Sequence, residues 1–434
     1  MTTSVDQIAA SLQGYDPKSL RADHVLAFLQ RLIEPVREIE QVGIFDALGR
    51  VLAEDLISPI SVPPHDNSAM DGFAFDGAAL AQGTALSLKI VGTALAGAPW
   101  QGRIGPGEAL KIMTGAVMPD GLDTVVPQEL AREQGDRITI AAGVLARGDN
   151  RRKLGEDLMQ GQPALRRGDR MDPAALGLVA SLGMVQVPVW RRLKVAIFST
   201  GNEILSLGEA PRAGAVYDSN RYTVYGLLTR LGVQVIDMGV VPDEPSQLES
   251  AFARAAREAD AVITSGGVSV GEADYTKAMM HKLAGDSGGV VFWRIAMRPG
   301  RPMAVGRIKG GEGPQPRSAV LFGLPGNPVA VMVTFLAFVR PALLQMMGSL
   351  EPPIPMLRAH SQEAIRKKAG RTEYQRGIVS AAPHGSLQVR TTGNQGSGVL
   401  SSMVQANGLI VLGHDQGNVA VGDEVDVMVF AGVI

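Results

Sequence analysis

Between residues 193 and 347 short apolar runs alternate with longer amphipathic stretches. The alternation predicts strands near 193–198, 234–239, 261–264, 290–296, 302–306 and 319–322. Between them it predicts helices near 219–231, 246–257, 274–284 and 328–346. Strands that alternate with helices imply a doubly wound, mostly parallel α/β sheet. Ahead of this unit, Val25, Leu26, Phe28, Leu29 and Leu32 recur at helical spacing within 23–37. A second short helix is expected over 46–54, and the polar residues 1–20 are expected to be loose. From 86 to 144 the pattern changes to short strands broken by Gly and Pro, which reads as a small β domain. A helix over 174–182 then follows, so helical segments flank the β region as they would an insertion. Pro352 and Pro353 mark a linker, and the short strands beyond 357 suggest a small C-terminal β-barrel. The expected division is 1–60 with 146–190 as a discontinuous helical linking domain, 61–145 as an inserted β domain, 191–349 as the α/β domain and 350–434 as the barrel.

Composition narrows the class. A chain of 434 residues is too long for one ordinary domain, so three or four are expected. With 41 basic and 43 acidic residues the net charge is −2, which creates no field toward nucleic acid or membrane. There is no cysteine, which excludes disulfides, a thiolate nucleophile and a cysteine metal site. The six histidines never fall at ligand spacing, so zinc is not expected. The N-terminus lacks the basic-then-apolar order of a signal peptide, and no apolar run reaches membrane length uninterrupted; a cytoplasmic location is the expectation.

Candidate chemistry gathers at predicted strand ends. The strand near 261–264 runs into Ser265, Gly266, Gly267, Ser269 and Gly271, and Asp274 then opens a helix. Strand, glycine-rich loop and helix together present backbone N–H groups to an anion, although a plain βα turn reads the same way. Two more strands end alike, one at Ser199-Thr-Gly-Asn-Glu203 and one at Gly323-Leu-Pro-Gly-Asn-Pro328, where Gly326 precedes Asn327, a candidate helix cap. An α/β sheet holds its ligand at such ends, and a phosphate-bearing ligand suits the residue types. In an extended chain Arg294 and Arg298 share a face, and Arg301 follows a Pro-Gly turn; the three guanidinium groups either grip oxyanions or form separate surface ion pairs. Asp71 stands on a turn after two prolines, as an exposed carboxylate or a plain hairpin residue. On pattern alone Thr114 is a turn residue, and most of the basic run 147–170 around Asp157 is a solvated face. Ser397 lies in a glycine-rich turn beyond Arg376.

Seven stretches in order resemble the molybdopterin molybdenumtransferase family, MoeA in bacteria and the gephyrin E domain in animals. They are Asp-Asn-Ser-Ala-Met-Asp-Gly-Phe-Ala, Ile-Met-Thr-Gly-Ala, Arg-Lys-Leu-Gly-Glu-Asp, Ser-Thr-Gly-Asn-Glu, Ser-Gly-Gly-Val-Ser-Val-Gly-Glu-Ala-Asp-Tyr, Leu-Pro-Gly-Asn-Pro-Val and Gly-Asn-Gln-Gly-Ser-Gly. The resemblance runs from about residue 20 to the end. It implies an elongated four-domain homodimer that inserts molybdenum from molybdate into adenylylated molybdopterin and releases AMP, with a divalent cation such as Mg2+. It implies reaction roles for Asp71, Thr114, Glu203, Asp243 and Asp274, the metal resting on Asp243 and Asp274. Arg294, Arg298 and Arg301 match a basic cluster that often contains lysine in the family. The resemblance also places Arg376 and Ser397 near molybdate and Asp157 near the cleft, and allows transient contact with other enzymes of cofactor synthesis. Two other readings stand beside it. Single-domain molybdopterin adenylyltransferases share the Ser-Gly-Gly-Val loop but lack the inserted domain and the barrel. A gephyrin-like scaffold shares the fold, but no receptor-binding appendage is recognisable here.

Overall fold

The computed structural model describes residues 4–80, 83–266, 289–310 and 317–433. Its centre is a six-stranded sheet in the order Gln234–Val241, Lys194–Thr200, Ala261–Ser265, Ser318–Leu324, Pro302–Lys309, Val290–Arg294. The first four strands are parallel, and Pro302–Lys309 runs antiparallel to both of its neighbours, Ser318–Leu324 and Val290–Arg294. Strands covered on both faces need apolar residues at every position, and that is why these read as unbroken apolar runs. Val195, Ile197, Ile263 and Phe322 pack toward helices Ala22–Leu32, Asn220–Leu231 and Pro328–Met346. Ala196, Phe198, Val262 and Leu321 face the opposite way, against helix Pro245–Glu258.

Pro328–Met346 is apolar and long enough to cross a membrane, but it is buried along nearly its whole length inside the core. Its middle turn, Phe335–Val339, is a π-helix between two α segments. Pro341 follows and has no N–H for the carbonyl of Ala337, and the wider turn absorbs that missing bond.

Three expectations for the N-terminal region need correction. Residues 1–20 are not uniformly loose, because Ser4 and Gln7 form a reciprocal capping box that opens helix Val5–Ala10. The next helix ends at Leu32 rather than near 37; Ile33 already has ψ 131°, and Pro35 cannot continue a helix. The helix expected over 46–54 is a single 3-10 turn, Ile44–Asp46. Gly49 then turns the chain at φ +73°, and Val51 and Leu52 bridge to Arg170 and Val189 as extended chain. Strand Ile39–Gly43 pairs with Gln186–Trp190, and helix Pro173–Ser181 packs nearby in the same apolar cluster. The chain thus leaves this unit and returns to it.

Between departure and return lies a second six-stranded sheet built from residues 72–140. Phe73 and Phe75 face one of its apolar clusters and Ala74 the other, as alternation requires. Beyond Pro353, five strands close into a barrel when Thr372–Ala381 pairs with both Leu387–Thr391 and Gly408–Leu412. The short strand Met297–Arg298 from the central unit adds to its edge beside Thr372 and Glu373.

Candidate functional site

Strand Lys194–Thr200 has neighbours on both sides, Gln234–Val241 and Ala261–Ser265, so the winding of the sheet reverses around it. A crevice opens outside the carboxyl ends at such a reversal. Here the crevice is a cleft of about 1070 Å³, and one wall comes from the barrel. Glu203, Asp243, Ser265, Gly266, Arg298, Arg301, Gly326, Asn327 and Ser397 line it. Gly267, Ser269, Gly271 and Asp274 lie outside the described residues.

The floor is a buried polar chain. Ser199 and Ser265 are register partners on adjacent strands, with their hydroxyl oxygens 2.9 Å apart. The Ser199 hydroxyl donates to Asp218 Oδ1 at 2.9 Å. A hydroxyl has one proton, so Ser265 must be the donor to Ser199. Ser265 therefore offers lone pairs, not a proton, to the cleft. Asp218 is buried, and its charge is balanced by Arg221, whose Nε lies 3.1 Å from Oδ2. Arg221 also reaches Asp237 at 2.5 Å.

Gly266 is needed for the sheet before any ligand is considered. Its φ is +91°, and a Cβ there would lie 2.5 Å from the carbonyl oxygen of Thr200. Its N–H donates to Leu324 at 3.2 Å, tying two strand ends together instead of facing an anion. Asn327 occupies the N-cap position by its backbone angles, with Pro328 next, but its side chain makes no capping bond. Gly326 presents its carbonyl to Asn220 at 2.7 Å.

Two carboxylates border this floor. Asp243 accepts a hydrogen bond from the Thr200 hydroxyl, and its N–H lies 3.3 Å from Asn202 Oδ1. Glu203 folds back over Gly201, where a Cβ would fall 2.7 Å from Glu203 Oε2. These are hard oxygen donors, and no thiol is present in the chain, so the donor chemistry suits Mg2+. Among the described residues no three His, Asp or Glu side chains come together as a metal cluster.

The three predicted arginines separate. The chain does not stay extended from 294 to 298. Ile295 N–H donates to the Arg301 carbonyl at 2.6 Å and Met297 N–H to the Ile295 carbonyl at 2.8 Å, a tight bend that breaks the alternation. Arg298 and Arg301 reach the cleft, whereas Arg294 is exposed and does not line it. No described carboxylate forms an ion pair with Arg298 or Arg301. Arg376 is fully buried behind the wall; its guanidinium donates to Ser402 Oγ at 2.9 Å and to the carbonyls of Asn394 and Gly396 at 3.1 and 2.9 Å. Burial first and the charge of Arg298 second pull its pKa down to about 10. Arg376 thus shapes the loop that carries Ser397, and the Ser397 carbonyl accepts from Val329 N–H at 3.1 Å.

Asp71 and Thr114 meet, but elsewhere. Strand Gly72–Phe75 pairs with Glu108–Ile112, and this brings the flanking residues together. Thr114 N–H and Oγ1 both donate to Asp71 Oδ1, at 2.7 and 2.8 Å, and the backbone bond leads in holding that carboxyl below its ordinary range. Neither residue lines the cleft of its own chain, nor does Asp157, whose N–H is taken by Val62 at 3.1 Å. The motif reading placed Ser199 at a strand end without a role of its own and missed Tyr217, Asp218 and Arg371, all cleft residues. Tyr217 and Asp218 stand just before helix Asn220–Leu231, and a search of every strand-to-helix junction would have found them. Arg371 left no such signal, since only the docked barrel brings it to the cleft.

Comparison with known proteins matches three family models in order along the chain. Residues 20–183 match the MoeA N-terminal region (domain I and II), 196–345 a probable molybdopterin binding domain, and 358–430 the MoeA C-terminal region (domain IV). The chain is 40% identical to a molybdopterin molybdenumtransferase of Haemophilus influenzae, covering 91% of this chain and 94% of that one. It is 34% identical to one of Nostoc sp., covering 91% and 90%. Among solved structures it is similar to the molybdopterin biosynthesis moeA protein of Pyrococcus horikoshii OT3, with TM-score 0.79 and 27% identity over 95% of this chain and 100% of that one.

Proposed function

Because the chain belongs to the molybdopterin molybdenumtransferase family, we propose that it is an enzyme of molybdenum cofactor biosynthesis. It inserts molybdenum from molybdate into adenylylated molybdopterin and releases AMP. The observation that carries this reading is the switch-point cleft, where Arg298 and Arg301 meet Glu203 and Asp243 without a described carboxylate neutralising either arginine. An anionic nucleotide supplies the missing charge, and guanidinium groups bind phosphate with paired donors.

The roles follow from position. Arg298 and Arg301 bind and orient the phosphates. Gly326 and Asn327, at the opening of helix Pro328–Met346, border the same anion at the positive end of the helix dipole. Ser265 accepts a hydrogen bond from a water or from the ligand, because its own proton is committed to Ser199. Asp243 and Asp274 are the residues proposed to hold Mg2+, and Glu203 lines the same cleft as Asp243. When bound, Mg2+ would neutralise charge at the phosphoanhydride. Molybdate enters as substrate at the barrel wall near Ser397, and Arg376 builds that wall rather than touching the ion. Gly267, Ser269, Gly271 and Arg294 keep their proposed roles from the motifs alone. Asp71 and Thr114 would reach the reaction through a homodimer, in which a second copy supplies them. We place the enzyme in the cytoplasm.

The test incubates the purified protein with adenylylated molybdopterin, Mg2+ and molybdate, and follows AMP and metal-loaded cofactor together. AMP release that requires molybdate supports insertion. Release at the same rate without molybdate would remove insertion as the reaction.

A further inference from the structure

We propose that Tyr217 is a stacking platform for the heteroaromatic ring of the nucleotide, an inference that rests on the function proposed above. Tyr217 is the only aromatic residue among the described residues lining the cleft. It stands on a small flap where strand Ile204–Leu205 pairs with Val216–Tyr217. The flap is fixed on both sides of the ring. Val216 N–H donates to Glu203 at 2.9 Å and Asp218 N–H to Leu205 at 3.0 Å, while the Asp218 side chain is anchored by Ser199 and Arg221.

The phenol is oriented as well. Its hydroxyl donates to the carbonyl of Glu209 at 2.7 Å. The polar tip is therefore spent within the flap, and the ring is what remains for the cleft. The residue is nonetheless 44% exposed, and Val216 beside it is 58% exposed, so the pair forms an apolar shelf next to Glu203. Rigid backbone, satisfied hydroxyl and bare ring are the requirements of a stacking surface, because little side-chain freedom remains to be lost on binding. The floor and opposite wall carry charges and amides suited to phosphate, while the flap carries none of its own at this point. A nucleotide with phosphates on Arg298 and Arg301 would lay a ring system on Tyr217. Adenine and the pyrimidine ring of a pterin both present a flat heteroaromatic face, and either satisfies this chemistry.

Three variants of the full chain decide it: Tyr217→Leu, Tyr217→Phe and Tyr217→Trp. Calorimetry measures binding of AMP, of molybdopterin and of ribose 5-phosphate, which carries charge but no ring. Stacking predicts that Tyr217→Leu weakens one ring-bearing ligand about tenfold, that Tyr217→Phe stays within about threefold, and that ribose 5-phosphate is unaffected. Loss confined to AMP assigns the platform to adenine, and loss confined to molybdopterin assigns it to the pterin. Tyr217→Trp should add indole fluorescence that the same ligand quenches. Unchanged affinity of Tyr217→Leu for both ligands overturns the proposal, as does an equal loss for ribose 5-phosphate or a change in oligomer mass in place of affinity. If the wild-type chain binds neither AMP nor molybdopterin, the functional reading falls and takes the platform with it.

Discussion

At Gly266 the backbone adopts φ +91°, and the carbonyl of Thr200 fills the space a side chain would need. Gly266→Ala should cost about 1–3 kcal/mol from the strained dihedral, with further loss from the contact. Urea unfolding measures this, and the variant should also bind nucleotide poorly, since the strand ends that frame the cleft must part. A variant as stable as wild type would show that the strand ends shift apart without penalty. Tyr374 makes a separate prediction about pH. Burial raises its hydroxyl from 10.0 to about 12. Above pH 10 the unfolded chain releases this proton and the folded chain keeps it, so the stabilisation is whole below pH 10 and is lost as pH rises through 12. Tyr374→Phe should therefore lose less thermal stability than wild type between pH 9 and pH 11, by about 1 kcal/mol, and calorimetric melting at both values checks it.

Among the elements, the barrel loop 413–416 shows how a local clamp serves a remote cleft. Lys367 is buried, and its ammonium donates to the carbonyls of Gly413, His414 and Gln416 at 2.5, 3.0 and 2.6 Å. The His414 carbonyl also accepts from the N–H groups of Gly370 and Arg371, at 2.9 and 3.2 Å. Arg371 in turn lines the cleft, paired to buried Glu373 at 2.6 Å. Lys367→Met keeps the stem but removes three charge-assisted hydrogen bonds to carbonyls, so a loss of about 2–4 kcal/mol is expected. Hydrogen exchange should rise at 370–371 as well as at 413–416. Exchange confined to 413–416 would show that Arg371 is held by Glu373 alone.

For the whole molecule, the separation of Asp71 and Thr114 from their own cleft sets the test. Asp71→Asn and Asp243→Asn should each abolish turnover when assayed alone. If a second copy completes the cleft, mixing the two at equal amounts makes half of the dimers hybrids, each with one of two clefts intact. About one quarter of wild-type activity should return. No recovery after verified subunit exchange would place Asp71 outside the reaction.

The sequence by itself determined the strands of the central sheet and the chemistry at their ends. Ala261–Ser265 and its neighbours announced themselves because a strand covered on both faces must be apolar throughout, and the polar residues after it can only stand at its end. The motifs likewise carried the family, since seven short stretches keep their order without any knowledge of contacts. Tertiary structure decided which of those residues meet. The bend at 295–297 parted Arg294 from Arg298, the docked barrel brought Arg371 in and kept Arg376 behind the wall, and the inserted sheet carried Asp71 and Thr114 away. The physical reason is range: alternation and capping act over a few residues, whereas a cleft is assembled by strand order and domain docking, which no local pattern records.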